Sequence, residues 1–196
     1  MSATLPEPVL AAAQAFLELL DHWNRTHALT ALPPADRFEE LILDSWALVP
    51  FLDSLPSGAR VVDFGSGMGI PAVVLALAKP DLEILALDKS GKKVAFIRQA
   101  ALEMRLENLG ATAARIESLA PLEASAGVAK AVGTPLLLAG WWERHGRPGA
   151  PFYAMKGPGW ADEALPGAAW QLLPHPYRLP TRGARILLEM RKRTNP

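Results

Sequence analysis

A glycine-rich turn between two apolar runs constrains the fold of this chain more than any other feature. The stretch VVDFGSGMGIPAVVLALAKPDLEILALDKSGKKVAF, residues 61–96, holds an apolar run, a turn with Gly65, Gly67 and Gly69, a helix-like run, and a second apolar run that ends at Asp88. Continuous apolar runs that alternate with helical segments are typical of a parallel sheet covered by helices on both faces. The stretch therefore predicts a Rossmann-like α/β fold with a nucleoside site at the turn.

The same alternation continues to the end of the chain. Apolar runs predict the strands, and apolar residues spaced three or four apart predict the helices. The Pro and Gly residues between 146 and 183 predict loops. We expect strands near residues 60–64, 82–87, 111–116, around Val128, 150–156 and 184–190, and helices near 70–79, 90–105, 135–144 and 160–168.

A helical segment is expected ahead of this fold. Residues 7–22 repeat apolar side chains at helical spacing, and a second helix is expected from Asp36 to about Leu52. The sequence SLPSG at 54–58 predicts a turn at the boundary. We therefore predict N-terminal helices in residues 1–56 and a Rossmann-like domain in residues 57–196, together forming one compact unit.

Composition limits the classes of protein that the chain can belong to. Its 196 residues suit one domain, and 20 basic and 20 acidic side chains leave no net charge that would advertise nucleic-acid binding, although a local basic patch can still bind RNA. The absence of cysteine excludes disulfides and thiolate zinc sites, and four scattered histidines match no ligand spacing, so no metal is expected. No apolar run has membrane-spanning length and no secretory signal is evident, which predicts a cytoplasmic protein without membrane contact. A monomer is preferred, although the sequence does not determine the oligomeric state.

The charge near the glycine turn separates two kinds of cofactor. A dinucleotide site usually has the spacing G-x-G-x-x-G/A, whereas this chain has G-x-G-x-G with Asp63 two residues before the first glycine. A carboxylate there suits the ammonium group of a methionine moiety and is a poor neighbour for a pyrophosphate. Asp88, 21 residues after Gly67, can accept hydrogen bonds from ribose hydroxyls. These features favour S-adenosylmethionine (SAM) over a nicotinamide cofactor. Asp63 can also serve as a hydrogen-bond acceptor for the loop, and both roles can hold together.

Six motifs extend this interpretation to nearly the whole chain. The motifs follow one another in the order found in one protein family: WNRTHALTA (23–31), LILDS (41–45), the glycine turn, LALDKSGKKVAFIRQ, ARIESL and YAMKGP. From about Trp23 to Arg191 the chain resembles the glucose-inhibited division protein B family, methyltransferases that act on N7 of a guanine in small-subunit ribosomal RNA. The resemblance implies a class I SAM-dependent methyltransferase fold, with a seven-stranded, mostly parallel sheet and an N-terminal helical extension over the site.

The resemblance also implies roles for individual residues. The methionine part of SAM would be held by Asp63 and by the turn residues Gly65, Ser66, Gly67 and Gly69. Asp88, followed by Lys89, would hold the ribose, and Ile116 and Glu117 would meet the adenine. Arg115 and Arg185 match basic positions that the family uses near cofactor or RNA, and both could instead be solvated surface residues.

The chain departs from the family pattern at three places, all on the expected substrate side. Ala28 replaces an asparagine in ALT, and Glu40-Leu41 replaces a basic residue and a histidine before LDS. Lys130, in Ala-Lys-Ala, replaces the arginine of Ser-Arg-Ala, which keeps the charge but loses the planar fork of a guanidinium. The cofactor motifs are intact, so the departures bear on the acceptor.

The chemistry of the acceptor explains why no catalytic residue stands out. Guanine N7 carries a lone pair and no proton, so methyl transfer to it needs orientation and a dry site but no general base. The substrate-side candidates are Lys130, Arg185, His27 and Trp160, and Trp141 and Trp142 are further aromatic candidates for stacking on a base. Three functions remain open: methylation of ribosomal RNA or the 30S subunit, methylation of a small nitrogen heteroaromatic molecule, and a catalytically idle paralogue that binds SAM or RNA.

Overall fold

The computed structural model describes residues 5–193. One mixed sheet of seven strands has the order β3-β2-β1-β4-β5-β7-β6. The first five strands pair in parallel, and β7 runs antiparallel between β5 and β6. The strands are β1 (Arg60–Phe64), β2 (Glu83–Asp88), β3 (Leu109–Ala113), β4 (Ala126–Lys130), β5 (Phe152–Lys156), β6 (Trp170–Leu179) and β7 (Gly183–Lys192). This arrangement confirms the predicted fold class, including the helical extension at the N-terminus.

Helices cover both faces of the sheet. The α-helices are α1 (Glu7–His27), α2 (Pro34–Arg37), α3 (Asp44–Trp46), α4 (Ala72–Ala78), α5 (Gly91–Glu103) and α6 (Pro135–His145). A π-helical segment, Phe38–Leu43, joins α2 to α3, and short 3-10 turns occupy Val49–Leu52, Ile116–Ser118 and Pro158–Asp162. Within residues 5–193, no helix is long and apolar enough to cross a membrane.

Two apolar cores lie on the two faces of the sheet. On one face, α1 buries Phe16 against Phe96 of α5, with ring centroids 5.8 Å apart. On the other face, Phe64 of β1 packs between Trp142 of α6 and Phe152 of β5, at 6.1 and 5.5 Å. Because the central strands are buried on both faces, most of their side chains are apolar. These apolar runs are the feature that predicted the strands. The carboxyl ends of the parallel strands are therefore held at one edge, where a ligand site is expected.

One strand was predicted wrongly as loop. Strand β6 contains Pro174 and Pro176, yet it pairs with β7 over ten registered positions from Trp170 to Leu179. Proline lacks a backbone N–H and is accepted mainly in edge strands, where one side of the backbone needs no partner. Because β6 lies at the edge of the sheet, its prolines do not interrupt the ladder.

Two helix predictions also need correction. The helix expected from Asp36 to Leu52 starts at Pro34 and changes to π geometry over Phe38–Leu43 before α3 and a 3-10 turn. A π segment inside a helix often marks a functional site. The helix expected near 160–168 is only the 3-10 turn Pro158–Asp162, followed by extended chain rich in Gly and Pro.

Candidate active site

A cavity of about 600 Å³ opens at the carboxyl ends of β1, β2 and β4, and we call it the cofactor cavity. Four stretches of chain form most of its lining: the glycine turn after β1, the start of α5 after β2, residues 114–117 after β3, and residues 130–132 after β4. Leu41 and Trp141 complete it. Eight predicted cofactor residues belong to this lining, namely Gly65, Ser66, Gly67, Asp88, Lys89, Arg115, Ile116 and Glu117. Its volume lies in the usual range for a small-molecule site.

Asp88 joins the two turns that form the floor of this cavity. Its Oδ2 accepts a hydrogen bond from the backbone N–H of Gly67 at 2.9 Å, and its Oδ1 accepts one from the N–H of Ser90 at 2.8 Å. Gly67 has φ +61° and open space where a Cβ would stand. The carboxylate therefore fixes the backbone while lining the cavity, and a carboxylate has lone pairs left for further donors.

The first and third glycines of the turn meet protein atoms. A Cβ on Gly65, which has φ +71°, would lie 2.6 Å from Cγ2 of Val132. A Cβ on Gly69 would lie 2.9 Å from Val73 and 3.2 Å from Ile97. Gly65 is required by the close approach of the β4 loop, and Gly69 packs against helices α4 and α5 outside the lining of the cavity.

Asp63 lies buried beneath the turn and is also outside the lining. Its Oδ2 accepts a hydrogen bond from the N–H of Ala72 at 3.3 Å, so the role of bracing the loop is observed. Oδ1 of Asp63 and Oγ of Ser66 are buried and have no hydrogen-bond partner other than each other among residues 5–193. Burial raises the pKa of Asp63 to about 7, although hydrogen bonds from the Ser66 hydroxyl and the Ala72 amide oppose this shift. A cation in the cavity would favour the charged carboxylate.

Helix α6 holds the part of the cavity wall formed by Ile116 and Glu117 in place. Nε1 of Trp141 donates to Oε1 of Glu117 at 3.1 Å, and Nε2 of buried His145 lies 3.0 Å from the carbonyl oxygen of Ile116. Burial lowers the pKa of His145, which favours the neutral ring. Sequence reasoning did not assign these two residues to the cofactor site. Their spacing of four residues, which puts both side chains on one face of α6, was the available signal.

The residues fit SAM on three independent grounds. The cavity has sufficient volume, the Asp88 carboxylate lines it at the end of β2, and Oδ1 of Asp63 and Oγ of Ser66, which have no partner but each other among residues 5–193, lie at the turn. Oxygen acceptors near the turn suit an ammonium group, and the strand-end carboxylate suits hydroxyl donors. Within residues 5–193, no cluster of three His, Asp or Glu side chains is placed to hold a metal ion.

A second cavity of about 390 Å³ adjoins the first, and we call it the acceptor cavity. Lys130 and Ala131, at the end of β4, line both cavities. The π segment lies at the same junction, because Glu40 lines the acceptor cavity while Leu41 lines the cofactor cavity. Two of the departures from the family pattern, at Glu40-Leu41 and Lys130, therefore meet at the boundary between the two cavities.

Ion pairs dominate the wall of the acceptor cavity. Nζ of Lys130 lies 2.6 Å from Oδ2 of Asp44, whose Oδ1 accepts a hydrogen bond from the Tyr177 hydroxyl at 2.7 Å. Burial raises the pKa of Tyr177, so the phenol stays protonated and donates. Arg185 contacts Oε1 of Glu40 at 3.0 Å, which places this predicted candidate in the acceptor cavity.

The β6–β7 turn is tied to the N-terminal helices. The Glu39 carboxylate accepts hydrogen bonds from the N–H groups of Thr181 and Arg182 at 2.7 and 3.0 Å, and from the Thr181 hydroxyl at 2.6 Å. Arg182 also pairs with Asp36 and lies 3.5 Å from Glu40. These contacts join residues about 140 positions apart, and they hold the wall of the acceptor cavity in place.

Two substrate-side candidates lie outside both cavities. The ring of His27 packs on Trp23 at 5.1 Å, and its carbonyl oxygen accepts a hydrogen bond from Lys92. Trp160 is half-buried against the core around Phe64. Ala28, the third departure, ends α1 with φ +46°, a conformation that asparagine adopts more readily than alanine. The structure thus brings Lys130 and Arg185 together at the acceptor cavity, but not His27 or Trp160.

Comparison with known proteins agrees with this geometry. Residues 9–171 match the family model GidB, described as rRNA small subunit methyltransferase G. A ribosomal RNA small subunit methyltransferase G from Bordetella avium is 38% identical over 185 residues, covering 90% of this chain and 82% of that protein. The enzyme of that name from Methylobacillus flagellatus is 41% identical over 118 residues, 60% of this chain and 56% of that protein.

A solved structure shows the same fold at much lower identity. A SAM-dependent O-methyltransferase from Thermotoga maritima superposes with a TM-score of 0.61 at 16% identity, covering 92% of this chain and 72% of that one. This likeness shows the fold, and the match of residues 9–171 to the family model shows the family. The chain belongs to the GidB family and is a SAM-dependent methyltransferase.

Proposed function

We propose that this protein transfers the methyl group of SAM to N7 of a guanine in small-subunit ribosomal RNA. The observation that carries the proposal is the junction of the cofactor cavity with the acceptor cavity at Lys130 and Ala131. A donor in the first cavity and a base in the second would meet there. The relatives' names supply the class of acceptor, and the position N7 comes from the family resemblance.

The cofactor residues have separable roles in this proposal. Asp88 binds the ribose hydroxyls, and Arg115, Ile116 and Glu117 form the wall against the adenine. The turn from Gly65 to Gly67 contacts the methionine part, while Asp63 and Gly69 support that turn from below. When bound, SAM supplies an electrophilic methyl group on a sulfonium, so the protein needs to orient the acceptor and exclude water.

The acceptor cavity suits this chemistry because N7 of guanine needs no base to remove a proton. Lys130 is held by Asp44 and by the carbonyl oxygen of Glu40, so its Nζ is a donor in a fixed position. A fixed donor at the junction can hold the base in line with the methyl group. Lys89 and Lys93 at the cofactor cavity provide positive charge for the RNA backbone.

We expect the protein to act on ribosomal RNA or on the 30S subunit, in the cytoplasm and as a monomer. Residues 1–56 and 57–196 are proposed to act as one unit. Support comes from Phe16 of α1, which lies in the same core as strand β1 and helix α4.

A small nitrogen heteroaromatic acceptor is the second candidate. It is favoured by the lining of the acceptor cavity, where each of the cations Lys130, Lys156 and Arg185 is paired with a carboxylate. A site meant chiefly for a polyanion would be expected to present unpaired cations. Of the three departures from the family pattern, Lys130 lines this cavity and Leu41 lies beside it in the lining of the cofactor cavity.

Nucleoside analysis tests the proposal directly. Small-subunit RNA from cells with and without the gene is digested, and N7-methylguanosine is quantified by mass spectrometry. We expect deletion to remove one N7-methylguanosine per subunit, and we expect wild-type protein but not Asp88→Ala to restore it. Unchanged RNA, together with SAM binding by the purified protein, would refute the RNA function and favour the small acceptor.

A further inference from the structure

The acceptor cavity has a lining whose charges cancel. Lys130, Lys156 and Arg185 face the carboxylates Asp44, Glu163 and Glu40 at 2.6, 2.6 and 3.0 Å. A phosphate would have to displace a carboxylate from one of these pairs, which would leave that carboxylate without its partner. The lining therefore favours a neutral group that carries both hydrogen-bond donors and acceptors, such as a nucleobase.

The three carboxylates differ in what they can offer to such a group. Asp44 is only 4% exposed, and both of its oxygens are bonded, to Tyr177 and to Lys130. Glu40 is 21% exposed, and Arg182 and Arg185 both contact Oε1. In the described part of the chain, Oε2 of Glu40 therefore keeps its lone pairs for a ligand.

Position also distinguishes Glu40 from Glu163. Glu40 directly precedes Leu41, which lines the cofactor cavity, and its carbonyl oxygen accepts a hydrogen bond from Lys130, which lines both cavities. Glu163 follows the 3-10 turn after β5 and pairs with Lys156. Glu40 is thus the carboxylate that is tied to the junction where the methyl group must be transferred.

We propose that Glu40 is the residue that selects guanine, by accepting hydrogen bonds from the N1–H and 2-amino groups of the base. This inference rests on the proposed function. Guanine presents two adjacent donors on that edge, whereas adenine presents an acceptor and a donor, so a carboxylate fits only guanine. The edge that carries N7 points away from the edge that carries N1 and the 2-amino group. A guanine on the Glu40 carboxylate therefore has N7 at the far end of the base, and the proposal requires that end to lie at the junction lined by Lys130 and Ala131.

The same contact favours the reaction itself. The N7 lone pair forms the new N–C bond while the C–S bond of the bound sulfonium breaks and its electron pair stays on sulfur. The positive charge passes to the purine ring, which makes N1–H a stronger donor. Hydrogen bonds to a carboxylate strengthen with donor charge, so Glu40 stabilises the transition state more than the bound substrate.

Guanosine and inosine provide the test, because inosine lacks only the 2-amino group. Each nucleoside is titrated by NMR into protein loaded with S-adenosylhomocysteine, which cannot react. We expect wild-type protein to bind guanosine about 10-fold or more tightly than inosine, and Glu40→Gln to reduce this ratio below about 3-fold. Methylation of 30S subunits by Glu40→Gln should fall about 100-fold, with SAM affinity unchanged within about twofold.

A matched control distinguishes loss of guanine selection from the general effect of removing a Glu–Arg ion pair. Glu83 also pairs with an arginine, Arg60, at 3.1 Å, and β2 begins at Glu83, at the end of the sheet opposite the cavities. Glu83→Gln should behave as wild type in both measurements.

Each outcome decides one of the two proposals. The role of Glu40 would be overturned if Glu40→Gln kept the preference for guanosine. It would also be overturned if wild-type protein bound both nucleosides equally or bound neither. If the role of Glu40 were overturned while 30S subunits were still methylated at N7, the proposed function would stand and only the assignment of Glu40 would fall. Guanosine selection that depends on Glu40, without any methylation of 30S RNA, would support the role of Glu40 and refute the RNA substrate.

Discussion

The two cavities of this protein are built in different ways. The cofactor cavity is formed by short contiguous stretches that follow successive parallel strands, and its floor is backbone held by Asp88. The acceptor cavity is formed by side chains from the π segment, from the ends of β4 and β5, and from the antiparallel β6–β7 hairpin. The first depends on backbone geometry, while the second depends on ion pairs between distant segments.

This difference indicates how each cavity can change in evolution. A substitution in the glycine turn alters backbone conformation, whereas a substitution at Glu40 or Lys130 changes an ion pair between side chains. All three departures from the family pattern lie outside the glycine turn and the Asp88 loop. We therefore expect substitutions in the first cavity to affect folding or SAM binding strongly, and substitutions in the second to have a smaller effect on stability and to leave SAM binding nearly unchanged.

The largest effect is expected from Gly65→Ala, at the floor of the cofactor cavity. The left-handed backbone and the 2.6 Å approach to Val132 should together lower the free energy of unfolding by about 3 kcal/mol. Urea titration measures this change, with Gly91→Ala as the control because nothing lies within 4 Å of its added Cβ. Equal stability of the two variants would show that the turn tolerates side chains.

Removal of the Asp88 carboxylate should affect the ligand more than the fold. Asp88→Ala deletes the acceptor for the Gly67 and Ser90 amides together with the proposed ribose contact. We expect SAM affinity, measured by calorimetry, to fall about 100-fold, which corresponds to ~2.8 kcal/mol. Asp81→Ala, just ahead of the same strand, should bind normally. Normal binding by Asp88→Ala would contradict the assignment of the cavity.

The buried Asp63 beneath the glycine turn predicts that the stability of the protein depends on pH. Its pKa of about 7 lies above the ~3.9 of an unfolded aspartate, so the folded protein holds a proton that the unfolded chain releases. Its contribution to stability is therefore complete below pH ~4 and declines as the pH rises to 7. Relative to Asp63→Asn, wild-type protein should lose about 2 kcal/mol of unfolding free energy between pH 5 and 7.

Urea titrations of both proteins across that pH range provide this comparison. Asp81→Asn, an exposed aspartate, serves as the control and should follow the wild-type curve. Parallel curves for wild type and Asp63→Asn would show that the carboxylate titrates normally.

The smallest effect is expected in the acceptor cavity. Tyr177→Phe removes the 2.7 Å hydrogen bond to Asp44, while Lys130 still pairs with that carboxylate. The loss should cost about 1 kcal/mol of stability and leave SAM affinity unchanged, as measured by thermal unfolding with and without SAM. Tyr153→Phe, whose hydroxyl donates to the carbonyl oxygen of Phe51 at 3.2 Å, is the matched control. A marked loss of SAM affinity in Tyr177→Phe would show that the two cavities are not independent.

The contrast between the two cavities also explains which site residues could be predicted from the sequence. Gly67 and Asp88 belong to a local pattern of strand, turn and strand end, and this pattern locates them without tertiary information. Lys130 and Arg185 were proposed from family resemblance, but their carboxylate partners are remote in sequence. Tyr177 was missed because Pro174 and Pro176 favoured a loop, and only its position at the edge of the sheet makes β6 a strand. His27 and Trp160 were placed near the acceptor because neighbouring residues matched motifs, yet both pack against other side chains.

The prolines of β6 also bear on self-association. An edge strand exposes backbone donors and acceptors that can recruit a strand from another copy, and such pairing leads to aggregation. Pro174 and Pro176 stand in register with Leu188 and Ile186 of β7, and proline has no N–H to offer to a strand on the other side. A second chain arriving at this edge would therefore find two donors missing in the middle of the strand. Strand β6, whose Pro residues predicted a loop, thus protects this edge of the sheet against pairing with a strand of another molecule.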